Sequence, residues 1–113
     1  MTFGFVSCQK GNFGYEQTVR FTADGGELSI EGYESVYTLE ITDYNGRGVE
    51  GEENYTDEIF AQYEWLTARK SKVTEPKIIF LKAEPNTSGK SRTLYVRGMV
   101  RDTHTEIKVV QEK

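Results

Sequence analysis

The chain has 113 residues, 36% of them apolar and 28% charged, with a net charge of −4 and a pI near 5.1. That is room for one ordinary domain with a modest core, and seven Tyr and six Phe supply more bulky apolar material than a disordered chain carries. The acidic balance argues against nucleic acid, whose phosphates need a basic face, and no apolar run reaches the ~20 residues of a membrane-spanning helix.

Residues 1–12 form an N-terminal segment. Within it Phe5-Val6-Ser7-Cys8 has the shape of the end of a bacterial lipoprotein signal: an apolar residue, a small one, then cysteine. The charged start and longer apolar stretch of a full signal are missing. The expectation is therefore a clipped reading frame, with Cys8 as the lipidated first residue and that lipid as the protein's one attachment to a membrane. The competing reading is a short first strand with a buried free thiol. Cys8 is the only cysteine, so no disulfide forms within the chain.

Residues 13–113 read as one domain of strands. Tyr15, Val19 and Phe21 alternate with Glu16, Thr18 and Arg20, a period of two that marks a half-buried strand. Asp24-Gly25-Gly26 is a turn, after which Leu28 and Ile30 alternate with Glu27, Ser29 and Glu31. From Ser35 to Asp43 the pattern predicts a strand with Tyr37, Leu39 and Ile41 on one face. Asn45-Gly46-Arg47-Gly48 ends it and opens an acidic loop through Glu50, Glu52, Glu53 and Asn54.

Helix and strand compete over 56–66. Thr56-Asp57-Glu58 resembles a helix N-cap, Arg69 and Lys70 suit a last turn, and Ile59, Tyr63 and Leu66 fall at helical spacing. Yet Ile59, Ala61, Tyr63 and Trp65 alternate as in a strand, and periodicity leaves both open. The unbroken run Ile78 to Leu81 predicts a strand covered on both faces. Pro85 to Gly89 is a turn cluster. Arg92 to Arg101 and Ile107 to Gln111 then read as a terminal hairpin joined by Asp102-Thr103-His104-Thr105. About seven short strands with regular turns predict an all-β, immunoglobulin-like β-sandwich.

The stretch from Trp65 to Gln111 resembles the BACON domain, an immunoglobulin-like module of secreted and surface proteins in gut Bacteroides-type bacteria. The resemblance rests on Trp65-Leu66, the apolar strand Ile78 to Ala83, the turn Asn86 to Arg92 and the ending Val109-Val110-Gln111. Phe21 to Gly26 matches the family's early strand and Gly-Gly turn. It implies structural roles for Gly26, Trp65, Asn86, Arg92 and Gln111, with the Trp-Leu pair at the start or edge of a strand, and any helical turn confined to 56–62. It also implies an exported protein, at the outer membrane or cell surface, with a host glycan or mucin as ligand in some members and a spacer role in others. The chain departs from the pattern by lacking a second Trp and by a longer, more acidic 43–58.

Catalytic chemistry has little to work with. The only histidine, His104, falls in the predicted hairpin turn, and His and Cys are too few for the usual zinc centres. Ser88-Gly89-Lys90-Ser91 imitates the end of a phosphate loop, but Glu84 stands where the first glycine belongs. Asp43, Asn45, Gly48 and Glu50 loosely follow a calcium loop, with Arg47 at a ligand position and Asn54 in place of the closing carboxylate. The expectation is a non-catalytic module that takes no metal or cofactor. Rings that stack on sugars are the binding candidates: Tyr44, Tyr55, Tyr63 and Trp65, joined by Tyr33. The alternative is a spacer or a domain that binds a partner protein, with Trp65 in the core.

Overall fold

The alternating apolar residues pair into strands in a computed structural model that describes residues 12–54 and 56–113. Cys8 and Tyr55 lie outside the described residues. The strands are β1 (Thr18–Phe21), β2 (Gly26–Glu31), β3 (Glu40–Thr42), β4 (Gly48–Glu50), β5 (Glu52–Glu53), β6 (Glu58–Tyr63), β7 (Leu66–Ser71), β8 (Ile78–Ala83), β9 (Arg92–Val100) and β10 (Thr103–Gln111). One sheet has the order β1-β10-β9-β3-β4 and the other β2-β8-β7-β6-β5. All pairs are antiparallel except β1 with β10, where Thr18 lies beside Lys108 and Phe21 beside Gln111. This is an immunoglobulin-like β-sandwich. Its core lies between the sheets, where Ile41, Val96 and Ile107 of the first face Ile59, Ala68 and Leu81 of the second.

Ten strands replace the expected seven or so, chiefly because the acidic stretch is not a loop. Gly48–Glu50 folds back on β3, the chain changes sheets at Gly51, and Glu52–Glu53 pairs with β6. Residues 58–63 are strand, not helix. Two sheets demand one dry face, and Ile59 and Ala61 are buried while Phe60 and Gln62 face solvent. The apparent N-cap is a turn leading into β6, in which the Asn54 side-chain oxygen accepts the N–H groups of Thr56 (2.9 Å) and Glu58 (3.2 Å).

The predicted strand Ser35 to Asp43 shortens to β3, because residues 32–39 carry the chain from the second sheet to the first. Tyr37 and Thr38 both bond to Met99: the Tyr37 N–H donates to its carbonyl and the Thr38 hydroxyl accepts its N–H, each at 3.0 Å. That double contact bulges the backbone. Val36 consequently turns inward and Tyr37 outward, where its hydroxyl donates to the Arg101 carbonyl at 2.6 Å. In β8 only Ile79, Leu81 and Ala83 are buried, so Ile78 and Phe80 form a half-covered outer face rather than a second dry one.

Buried polar side chains close each end of the sandwich. At one end the Asn12 amide donates to the carbonyls of Tyr15 and Glu106, both at 3.0 Å, and its oxygen accepts the Glu106 N–H and the Thr105 hydroxyl. Tyr15 lies under Gly32, where a Cβ would collide with its ring, and donates its hydroxyl to the Glu34 carbonyl at 2.7 Å. At the other end the residues singled out by the family resemblance converge. Gln111, fully buried, accepts Arg92 Nε (2.8 Å) and donates to the carbonyls of Thr22 (3.1 Å) and Glu84 (2.7 Å). The Arg92 guanidinium covers the Trp65 ring at 4.8 Å. Asn86 donates to the carbonyls of Lys90 (2.7 Å) and Glu112 (3.0 Å). Gly26 begins β2 at φ 135°, a backbone that suits glycine.

Lys70 is the anomaly of the core. It points inward from β7, is 1% exposed, and donates its Nζ to the Val36 carbonyl at 2.6 Å, which holds the crossing segment against the second sheet. Burial, and then the charge of Lys72, lowers its pKa from the ordinary lysine value.

Two measurements check this account. Gln111→Leu removes the partner of Arg92 Nε and of the Thr22 and Glu84 carbonyls, so urea unfolding should show a loss of about 3 kcal/mol. For Lys70, the unfolded chain binds the proton more readily than the folded one between the lowered pKa and ~10.4. Stability should therefore rise with pH through that window in the native chain and not in Lys70→Met. Tyr15 acts oppositely: burial pushes its phenol up to about 12, so its contribution is present below about pH 10 and fades as pH rises through the folded value.

Candidate functional site

Cross-strand register assembles one row of side chains on the outer face of the second sheet. Ser29 of β2 pairs with Phe80 of β8, Phe80 with Arg69 of β7, Arg69 with Phe60 of β6, and Phe60 with Glu52 of β5. Directly opposite residues share a face, so Phe80, Arg69 and Phe60 stand side by side. The Arg69 guanidinium lies over the Phe80 ring at 4.7 Å and is fixed from the other side by Glu58 at 3.3 Å. Phe60, beyond it, is 45% exposed. Two interstrand steps separate the rings, roughly 10 Å.

Thr67, Lys82 and Glu27 form the adjacent row and Gln62 extends it on β6. Apart from Gln62 and Glu52, these rows line a shallow hollow of about 660 Å³ whose rim also includes Leu28. Apolar rings at the centre with hydroxyl, amide and charged groups around them can stack on a flat ligand face and bond its polar edge.

The residues expected to bind do not assemble this platform. Tyr44 is 87% exposed at the tip of the β3–β4 hairpin, where the Asp43 carboxylate accepts the N–H groups of Asn45 (2.8 Å) and Arg47 (2.9 Å). Trp65 sits in the β6–β7 turn, 6% exposed beneath Arg92, and offers no ring face to a ligand. Tyr63 packs half-buried against the core, and burial, with the charges of Glu64 and Asp43, raises its phenol pKa. Tyr33 is exposed over Gly14, beside the strand ends where Asn12 and Tyr15 are fixed.

His104 belongs to β10 rather than to the turn, which is Arg101-Asp102, and its Nε2 accepts an N–H of Arg97 at 2.9 Å. Ser88 and Lys90 sit in the turn closed by Asn86. Among the described residues no three His, Cys, Asp or Glu stand close enough together to hold a metal ion. The sequence hid the Phe80–Arg69–Phe60 row because it exists only in the register of three strands. The alternation that points Phe60 outward between Ile59 and Ala61 was the available signal.

No family model matches the chain, and no curated protein does. Among solved structures it is similar to an NMR structure of a protein from Bacteroides thetaiotaomicron, with 16% identity and a TM-score of 0.56 over 86% of this chain and 76% of that one. A likeness at that identity shows the fold alone, and the fold is the sandwich described above.

Proposed function

We propose that this domain is a non-catalytic binding module that lays a saccharide chain, such as a host glycan or mucin, across the outer face of the second sheet. The observation that carries the reading is the Phe60–Arg69–Phe80 row. Phe60 is 45% exposed, Phe80 is half-buried beneath the Arg69 guanidinium, that guanidinium also meets Glu58, and hydroxyl and amide groups lie within one row of them. Sugar faces stack on such rings, and their hydroxyls suit Thr67, Gln62, Lys82 and Glu27. In this proposal the domain is a BACON-like module of an exported surface protein, tethered through Cys8.

A second reading, a spacer or a domain for a partner protein, is favoured by the way the chain enters and leaves. Asn12 bonds to the start of β10, and Glu112 bonds to the carbonyl of Phe21 at the end of β1. Residues 12 and 113 therefore lie at opposite ends of the strands, an arrangement suited to holding two attachments apart.

A glycan array and mucin pull-down with the whole chain decides between them. Phe60→Ala with Phe80→Ala should weaken binding by at least tenfold, about 1.4 kcal/mol, while the circular dichroism of the sandwich persists. Tyr44→Ala should leave binding within twofold. The emission of Trp65, the only tryptophan, should not shift on binding. Loss of binding in Tyr44→Ala alone would move the site to the hairpin, and no binding to any glycan would leave the spacer or partner-protein reading.

A further inference from the structure

We propose that the outer edge of β2, beside which no described strand lies, takes up an extended segment of a partner protein as a sixth strand of the second sheet. The segment it fits has the pattern basic–apolar–any–apolar–basic. This inference concerns the edge that adjoins the saccharide face, with Leu28 and Ser29 common to both, and it rests on the backbone lane of β2 rather than on that reading.

Among the described residues the sandwich has four edge strands, and they are not equally protected. β4 has three residues, and β5 has two, both glutamates; short length and charge are the usual means of keeping an edge from pairing. β1 has four. β2 has six, with no proline and no lysine, and among the described residues it pairs on one side only.

Backbone direction can be read from the ladder. The Gly32 N–H donates to the Lys77 carbonyl at 3.0 Å, and the same register sets Ile30 beside Ile79 and Leu28 beside Leu81. Hydrogen-bonded pairs recur every second residue in an antiparallel ladder, so the even-numbered residues bond β8. The N–H and C=O groups of Glu27, Ser29 and Glu31 therefore point outward. Tyr33, next in that outward series, donates its N–H to the Phe13 carbonyl at 2.7 Å. Backbone thus already stands in this lane at its far end, while among the described residues no strand lies beside 27–31.

The side chains along the lane are equally asymmetric. Leu28 points into the sandwich opposite the buried Leu81, yet it is 37% exposed. With Val19 and Ile30 it lines a hollow of about 500 Å³ between the edges of β1 and β2. An added strand would set alternate residues over Leu28 and Ile30, where apolar side chains fit. The intervening residues would stand beside Glu27, Ser29 and Glu31. Glu16 and Glu31 are the two carboxylates lining the hollow and Arg20 is its one cation, while Glu27 lies just outside it, flanked by Lys82 of β8. That balance selects lysine or arginine beside positions 27 and 31. It also disfavours a second copy of this chain, because antiparallel pairing of two β2 strands about Ser29 would set Glu27 against Glu31.

The test adds a capped peptide, Thr-Lys-Val-Thr-Val-Lys-Thr, to the whole chain, with amide hydrogen exchange read by NMR. The amides of Glu27, Ser29 and Glu31 should exchange freely in the protein alone and at least tenfold more slowly with peptide. Glu27→Lys with Glu31→Lys should weaken binding about tenfold and transfer preference to the peptide with glutamate in place of lysine. Ser29→Pro should abolish binding, since proline removes an outward N–H and leaves the bonds to β8 in place. The charge reversal alone carries the test if that variant does not fold. Amides already protected in the free protein, shifts centred on Phe60 and Phe80, equal binding of a backbone N-methylated peptide, or no response at millimolar peptide would each overturn the proposal.

Discussion

Gln111 has no exposed surface, and three connections of the sandwich meet around its carboxamide and the Arg92 it holds. Its amide holds the Thr22 carbonyl of the β1–β2 turn and the Glu84 carbonyl beyond β8, and its oxygen holds Arg92 of β9, whose guanidinium covers Trp65 of the β6–β7 turn. A single cysteine leaves no cross-sheet disulfide to do this work. The alternative is polar and expensive to disrupt. Each bond contributes only about 1 kcal/mol net, but removing the carboxamide breaks three of them at once at a position that is itself fully buried. Trp65 is therefore committed to structure: its ring is the floor on which Arg92 lies.

Asn12 and Tyr15 do the corresponding work at the opposite end, tying the approach to β1 to the start of β10 and to the crossing after β2. Lys70 secures the middle of that crossing from inside. With both ends fastened, the sheets present rigid faces on which side chains keep a fixed spacing, which is what a binding platform needs. The Arg69 guanidinium, pinned between Phe80 and Glu58, is such a fixed element.

The fold was legible because period-two alternation survives in the two longest strands. Leu94, Val96 and Val100 in β9 and Ile107, Val109 and Gln111 in β10 declare their buried faces directly. Legibility failed where non-local pairing overrode local pattern. The acidic residues of β4 and β5 have little strand propensity and are strands only because β3 and β6 pair with them. Tyr37 was placed on the wrong face because a bulge at Met99 shifts the alternation by one residue, a shift no local pattern records. The site suffered for a related reason. Aromatic residues close in sequence, Tyr44, Tyr63 and Trp65, went to solvent, to the core margin and under Arg92, while Phe60 and Phe80 met only through β7.

The face and the edge of the second sheet are not separate surfaces, since Leu28 and Ser29 line both hollows. Ser29 ends the row that runs through Phe80, Arg69 and Phe60, so a strand added beside β2 would extend that row by one side chain. The same register argument that assembles the platform thus fixes what an incoming strand does to it. Residues entering beside Glu27, Ser29 and Glu31 join the outer face, and those beside Leu28 and Ile30 close the seam between the sheets. One edge strand, the longest of the four among the described residues, is the place at which occupancy of the seam and shape of the outer face become one structural variable.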